Sequence, residues 1–119
     1  MSELNRLIQD FERGRVQLSA IEQQSQALSM QARMLDEALK ELGGTKEKKV
    51  YKAVGSILIL SEVKKMEKEL SDQKESVDLR AKTVKKQEEV MLDKLNKLKS
   101  EIEAEQKSKG EAKPAAGAQ

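Results

Sequence analysis

A chain of 119 residues that is 37% hydrophobic and 37% charged, with one Phe, one Tyr and no Trp, cannot furnish a conventional globular core. Its mixed Lys and Glu suit long solvated helices instead, and the net charge of +2 comes without a basic arm: residues 1–44 carry 5 basic and 7 acidic side chains, 45–62 carry 4 and 2, and 63–119 carry 14 and 12. That balance is too slight to imply a phosphate-tracking surface, so no nucleic-acid partner is expected.

The first arm opens at Ser2 and Glu3, a helix-start pair, and carries two seven-residue rows. One holds Leu4, Phe11, Leu18, Ser25, Ala32 and Leu39, the other Leu7, Gly14, Ile21, Leu28, Leu35 and Leu42; ten of the twelve are apolar. Alternating steps of three and four place both rows on one side of a helix, the seam of a coiled coil. The spacing predicts a helix over 2–42, about 60 Å long at 1.5 Å per residue, stopped by Gly43 and Gly44 in the left-handed conformation.

Between the arms lies Val50-Tyr51-Lys52-Ala53-Val54-Gly55-Ser56-Ile57-Leu58-Ile59-Leu60, a β-branched apolar run broken by Gly-Ser. It reads as a hairpin over 50–60, with strands Val50–Val54 and Ile57–Leu60 and Gly55 supplying the positive φ of a two-residue turn. Alternation puts Val50, Lys52 and Val54 on one side and Tyr51 and Ala53 on the other, while the second strand is apolar throughout. A lone two-stranded hairpin is marginal in water and has two unpaired edges. Covering its second face and both edges requires strands from other chains, most economically in a closed β-barrel.

The second arm, a helix predicted over 62–108 with Ser61 and Glu62 at its start, has one clean row in Val63, Leu70, Val77, Val84, Met91 and Leu98. The companion row, Met66, Gln73, Arg80, Gln87 and Lys94, is mostly polar, and Ala81, Leu95 and Ile102 lie beside it, placed to rotate in. Folded back antiparallel, the arms set Leu42 near Val63, Leu28 near Val77, Gly14 near Met91 and Leu7 near Leu98. The Pro/Gly/Ala-rich tail 109–119 is expected to be disordered. The fold class is therefore mainly α with a small β-hairpin: one domain over 1–108, a long antiparallel two-helix coiled coil whose hairpin joins a barrel shared between subunits.

The pattern apolar-Tyr-Lys-x-Val-Gly-x-apolar-apolar-apolar, here Val50 to Ile59, together with the matched arms over roughly residues 3–108, resembles the β subunits of the prefoldin family, which have one hairpin where the α class has two. Leu60 stands where family members often carry a charge. The resemblance implies an archaeal-type hetero-hexamer of two α and four β subunits. Hairpins build its platform, and coiled coils hang from it to hold unfolded client proteins for delivery to a group II chaperonin, without nucleotide. The partners it implies are thus a prefoldin α subunit, further β copies, unfolded clients and the chaperonin.

Where the ends of the arms meet, helix termini fray and apolar side chains become available to clients. The candidates are Leu4, Leu7, Ile8 and Phe11 with Leu95, Leu98 and Ile102. Seam positions usually pack, which favours Ile8 and Ile102, off the main rows, as client contacts. The candidate assembly residues are Val50, Tyr51, Val54, Gly55, Ile57, Leu58, Ile59 and Leu60, with Lys48, Lys49 and Lys52 placed to meet acidic groups of a neighbouring subunit. Met30, Met34, Met66 and Met91 read as packing, and Glu88-Glu89 as a solvated pair.

No catalytic, cofactor or metal site is expected, because the chain has no His, no Cys, no phosphate loop and no zinc spacing. Without a cysteine, a membrane-length apolar run or a basic-then-apolar leader, a cytoplasmic location follows as the expectation. A second class of function fits the same elements: a structural coiled-coil adaptor whose hairpin mediates oligomerisation and whose arms hold fixed partners.

Overall fold

The computed structural model describes residues 2–110. Helix α1 runs Glu3–Gly44, strands β1 and β2 run Lys49–Val54 and Ile57–Glu62, and helix α2 runs Val63–Gly110. These are the two arms and the hairpin that the periodicities predict, each boundary shifted by one or two residues. Of the predicted tail 109–119, Lys109 and Gly110 continue α2, and the remainder lies outside the described residues.

The start of α1 is capped as the sequence suggests. Ser2 Oγ accepts the Asn5 N–H at 3.1 Å and the Ser2 carbonyl accepts the Arg6 N–H at 3.2 Å, satisfying two amides of the first turn. The other two terminus expectations are corrected. Gly43 and Gly44 are helical, and the only positive φ among the described residues belongs to Gly55; the chain leaves the helix at Thr45, whose hydroxyl accepts the Glu47 N–H at 3.1 Å. Ser61 and Glu62 do not cap α2, because both are in the ladder, opposite Val50 and Lys49. The Val63 N–H is met by the Lys48 carbonyl at 2.9 Å, so backbone from before the hairpin closes the helix that follows it.

The helices contribute to two compact units, one from α1 up to Gln24 with α2 from Val84, the other from Ser25–Thr83. In the first, Leu7, Leu95 and Leu98 form a buried cluster against which Phe11, Leu18, Met91 and Ile102 pack. Gly14 is buried there, and a Cβ added to it would lie 2.6 Å from Leu95 Cδ2 and 3.7 Å from Met91 Sδ. The expected Gly14–Met91 juxtaposition is present, but Leu95 fills the notch more closely.

In the second unit, Leu28 and Leu35 of α1 are buried, as are Val63, Met66 and Val77 of α2. Lys74, 29% exposed, lies on the α1 side, its Nζ 3.6 Å from Asp36 Oδ1 of α1 and 2.8 Å from Asp78 Oδ2 one turn on. The hydrogen bond that Lys74 donates to Asp78 and the charge of Asp36 raise its pKa above the ordinary lysine value. The stabilisation this lends the fold is present below the unfolded lysine range and lost as pH rises through the raised value.

All twelve predicted α1 seam positions are at least half-covered. On α2 the first row holds, but the companion row is corrected: Gln73, Arg80, Gln87 and Lys94 are exposed, and the covered positions are Glu67, Lys74, Ala81, Glu88, Leu95 and Ile102. The rotation foreseen for Ala81, Leu95 and Ile102 thus extends to residues in both units. The larger apolar gain at Leu95 and Ile102 outweighs the partial cover of Glu67, Lys74 and Glu88, whose heads reach solvent on flexible stems. Glu88 is therefore half-covered rather than part of a solvated pair.

Leu95→Ala is expected to cost about 2–5 kcal/mol and the neighbouring Lys94→Ala less than about 0.5 kcal/mol. Urea unfolding at one fixed chain concentration measures both, and equal losses would contradict the rotation of α2. Gly43, with nothing within 4 Å of an added Cβ, gains about 0.5–1 kcal/mol as Gly43→Ala; Gly14→Ala gains none of this because Leu95 is in the way.

Candidate functional site

In the hairpin six large apolar side chains stand together in solvent. The antiparallel register pairs Lys49 with Glu62, Val50 with Ser61, Tyr51 with Leu60, Lys52 with Ile59, Ala53 with Leu58 and Val54 with Ile57. Gly55, at φ 62°, and Ser56 close it, and because Ser56 does not share the positive φ the turn is of the type with glycine first. The predicted turn and pairing are thus present, one residue longer at the start and two at the end.

Exposure runs along its whole length. Tyr51, Ile57 and Leu58 are 68%, 63% and 65% exposed, and Val54, Ile59 and Leu60 about half. Among the described residues the sheet has only these two strands, so each keeps one edge of backbone donors and acceptors without a strand partner. Val50, Lys52 and Ser61 alone are half-covered. Lys52, which the sequence places to meet a neighbouring subunit, has its Nζ 3.1 Å from Glu69 Oε1 of the chain's own α2. Glu69, seventeen residues away, carries no sequence signal for this role: only the folded path brings it to the strand.

Six apolar side chains, each worth roughly 1.5–3 kcal/mol if taken fully from exposure to burial, hold about 8 kcal/mol gross at their present exposure. Association costs about 4–15 kcal/mol in lost freedom, so side-chain burial in one simple contact barely suffices.

The candidate client residues all fall in the first unit, where α1 begins and α2 ends. Leu7, Leu95 and Leu98 are buried against one another, and Leu4, Phe11 and Ile102 are half-covered. Ile8, 38% exposed, is the large apolar side chain of this set that solvent reaches most. Of the methionines, Met66 is buried and Met91 half-covered, as packing predicts, whereas Met30 and Met34 are 60% and 63% exposed. Among the described residues no group of His, Cys, Asp and Glu is arranged to hold a metal ion, and no helix is long and apolar enough to cross a membrane.

Comparison with known proteins gives these features a family. Residues 5–109 match the family described as Prefoldin subunit. The prefoldin subunit beta of Saccharolobus islandicus is 31% identical over 93 residues, covering 77% of this chain and 74% of that protein. That of Pyrobaculum calidifontis is 30% identical over 103 residues, covering 86% and 82%. The crystal structure of the prefoldin beta subunit from Thermococcus strain KS-1 matches with a TM-score of 0.80 at 24% identity, covering 87% of this chain and 92% of that one, a likeness of fold.

The chain belongs to the prefoldin subunit family. Its single hairpin and its relatives agree with the β-class resemblance. The family is one of chaperones rather than enzymes, and membership implies a chaperone-type role in an assembly with other prefoldin subunits.

The Lys52–Glu69 pair, with both side chains more than a third exposed, should couple by only about 0.2–1 kcal/mol. A double-mutant cycle with Lys52→Ala and Glu69→Ala measures it, and the coupling should shrink as salt rises from 0.05 to about 0.5 M.

Proposed function

We propose that this chain is a β-class subunit of an ATP-independent holdase, a cytoplasmic hetero-hexamer of two α and four β subunits. The hairpin is its assembly element, joining an intersubunit β-barrel through Val50, Tyr51, Val54, Ile57, Leu58, Ile59 and Leu60, with Gly55 turning the strands. The observation that carries this reading is the exposure of Tyr51, Val54, Ile57, Leu58, Ile59 and Leu60 on a sheet whose two edges are, among the described residues, both unpartnered.

Clients are unfolded proteins, held where α1 begins and α2 ends and passed to a group II chaperonin. Ile8 offers an apolar side chain to solvent there, and Leu4, Phe11 and Ile102 are half-covered beside helix ends that fray. Leu7, Leu95 and Leu98 pack the helices together in the resting state and reach a client only when those ends open. Each such contact is weak, and several subunits engaging one client multiply it. The chain needs no nucleotide, because its work is to keep apolar surface from aggregating rather than to drive a reaction.

The test is aggregation of two unrelated unfolded proteins in the presence of the complex with a two-hairpin companion subunit. The complex should suppress both, and Ile8→Ser with Ile102→Ser should lose at least half of that suppression without changing the native mass. An adaptor with fixed partners would protect neither client, and full protection by the double variant would remove Ile8 and Ile102 from the client site.

A further inference from the structure

We propose that Met30 and Met34 form a methionine-sulfoxide modification site, at which α1 takes up oxygen from hydrogen peroxide and so shields the buried Met66 of α2. In a chain without cysteine, thioethers are the side chains that peroxide attacks first. Four of them lie among the described residues, and the fold treats them unequally. Met30 and Met34 are 60% and 63% exposed, whereas Met66 is 8% exposed and Met91 half-covered.

The exposure of the pair follows from the rotation of α1. Its seam passes through Leu28, Ala32 and Leu35, and neither Met30 nor Met34 belongs to either row. Packing within the chain therefore asks nothing of these two sulfurs. One turn of helix separates them, so their side chains are neighbours on the outer surface of α1. Met34 also lines a surface hollow, with Ala38 and Glu41 beyond it, that admits molecules of water size.

Met66, the fourth residue of α2, belongs to the same compact unit and is placed the opposite way. An oxygen on its sulfur would bring a polar group into buried surroundings, a cost that a sulfoxide facing solvent escapes. Peroxide also reaches it only when the surrounding structure opens, which lowers its rate by the opening equilibrium. Oxidation at Met30 and Met34 is thus fast and leaves the seam intact, while oxidation at Met66 is slow and breaks it.

The reaction is complete with peroxide as its one co-reactant. A sulfur lone pair attacks one peroxide oxygen, the O–O bond breaks as the S–O bond forms, and the proton on the transferred oxygen joins the departing hydroxide to give water. Sulfur loses two electrons and peroxide gains them. Returning the sulfoxide to a thioether requires an external thiol reductant, because the chain has no cysteine of its own.

Hydrogen peroxide titrated onto the full chain, with mass mapping of each methionine-bearing peptide, tests the site. Met30 and Met34 should gain oxygen at least about tenfold faster than Met66, and the helical melting curve should hold until Met66 follows. At limiting peroxide, Met30→Leu with Met34→Leu, which keeps the bulk and removes both sulfurs, should raise the yield of Met66 sulfoxide about twofold or more. Oxidation of Met66 as early as that of the pair overturns the site, and an unchanged Met66 yield in the double variant overturns the shielding. A melting transition lost while only Met30 and Met34 carry oxygen overturns the claim that the pair reacts without disturbing the seam.

Discussion

Two strands make one set of ladder hydrogen bonds and expose two edges. That shortage governs everything else in this chain. The hairpin cannot hold its own apolar side chains out of water: Tyr51, Ile57 and Leu58 remain roughly two-thirds exposed even with α2 docked at its base through Lys52 and Glu69. A sheet in this condition either aggregates or is completed by defined neighbours, and membership of the prefoldin subunit family places the chain in the second group. The helices obey a different economy. Their seams satisfy them within the chain, which leaves their ends free for other work.

Much of this was legible before any coordinates. The α1 rows could be read residue by residue because the apolar positions recur every seven without competition, and a run of β-branched residues split by Gly-Ser has few alternatives to a hairpin. On α2 the reading was ambiguous. One row was clear, but two candidate companion rows lay one residue apart, one offering Met66 and the other Ala81, Leu95 and Ile102. The bulkier pair of apolar residues in the second row decides the rotation, and Met66 is buried as well. Periodicity alone does not weigh such alternatives; packing does.

The termini and the polar contacts were the least legible. Ser61 has the chemistry of a cap, yet the ladder claims it first, and the Lys48 carbonyl takes over its duty at the Val63 amide. Lys52 reads as a charge for a neighbour until the fold brings Glu69 within 3.1 Å of it. Lys74, which lies off both predicted rows, is carried toward Asp36 by the rotation of α2. In each case a residue has two partners of similar worth, and tertiary structure chooses. The candidate client residues pose the same difficulty: Leu7, Leu95 and Leu98 fit a seam and a binding patch equally well on paper, and in the folded chain they are buried in one cluster.

The central claim, that the hairpin gains its stability from other chains, is tested most directly by amide hydrogen exchange of residues 49–62 at concentrations spanning dissociation. In dilute, single-chain solution these amides should exchange nearly as fast as in an unfolded peptide, while the amides of the α1 and α2 seams stay protected. On association the hairpin amides should slow by at least about a hundredfold, a difference of roughly 2.7 kcal/mol. Equal, strong protection of the hairpin in the dissociated chain would contradict the account.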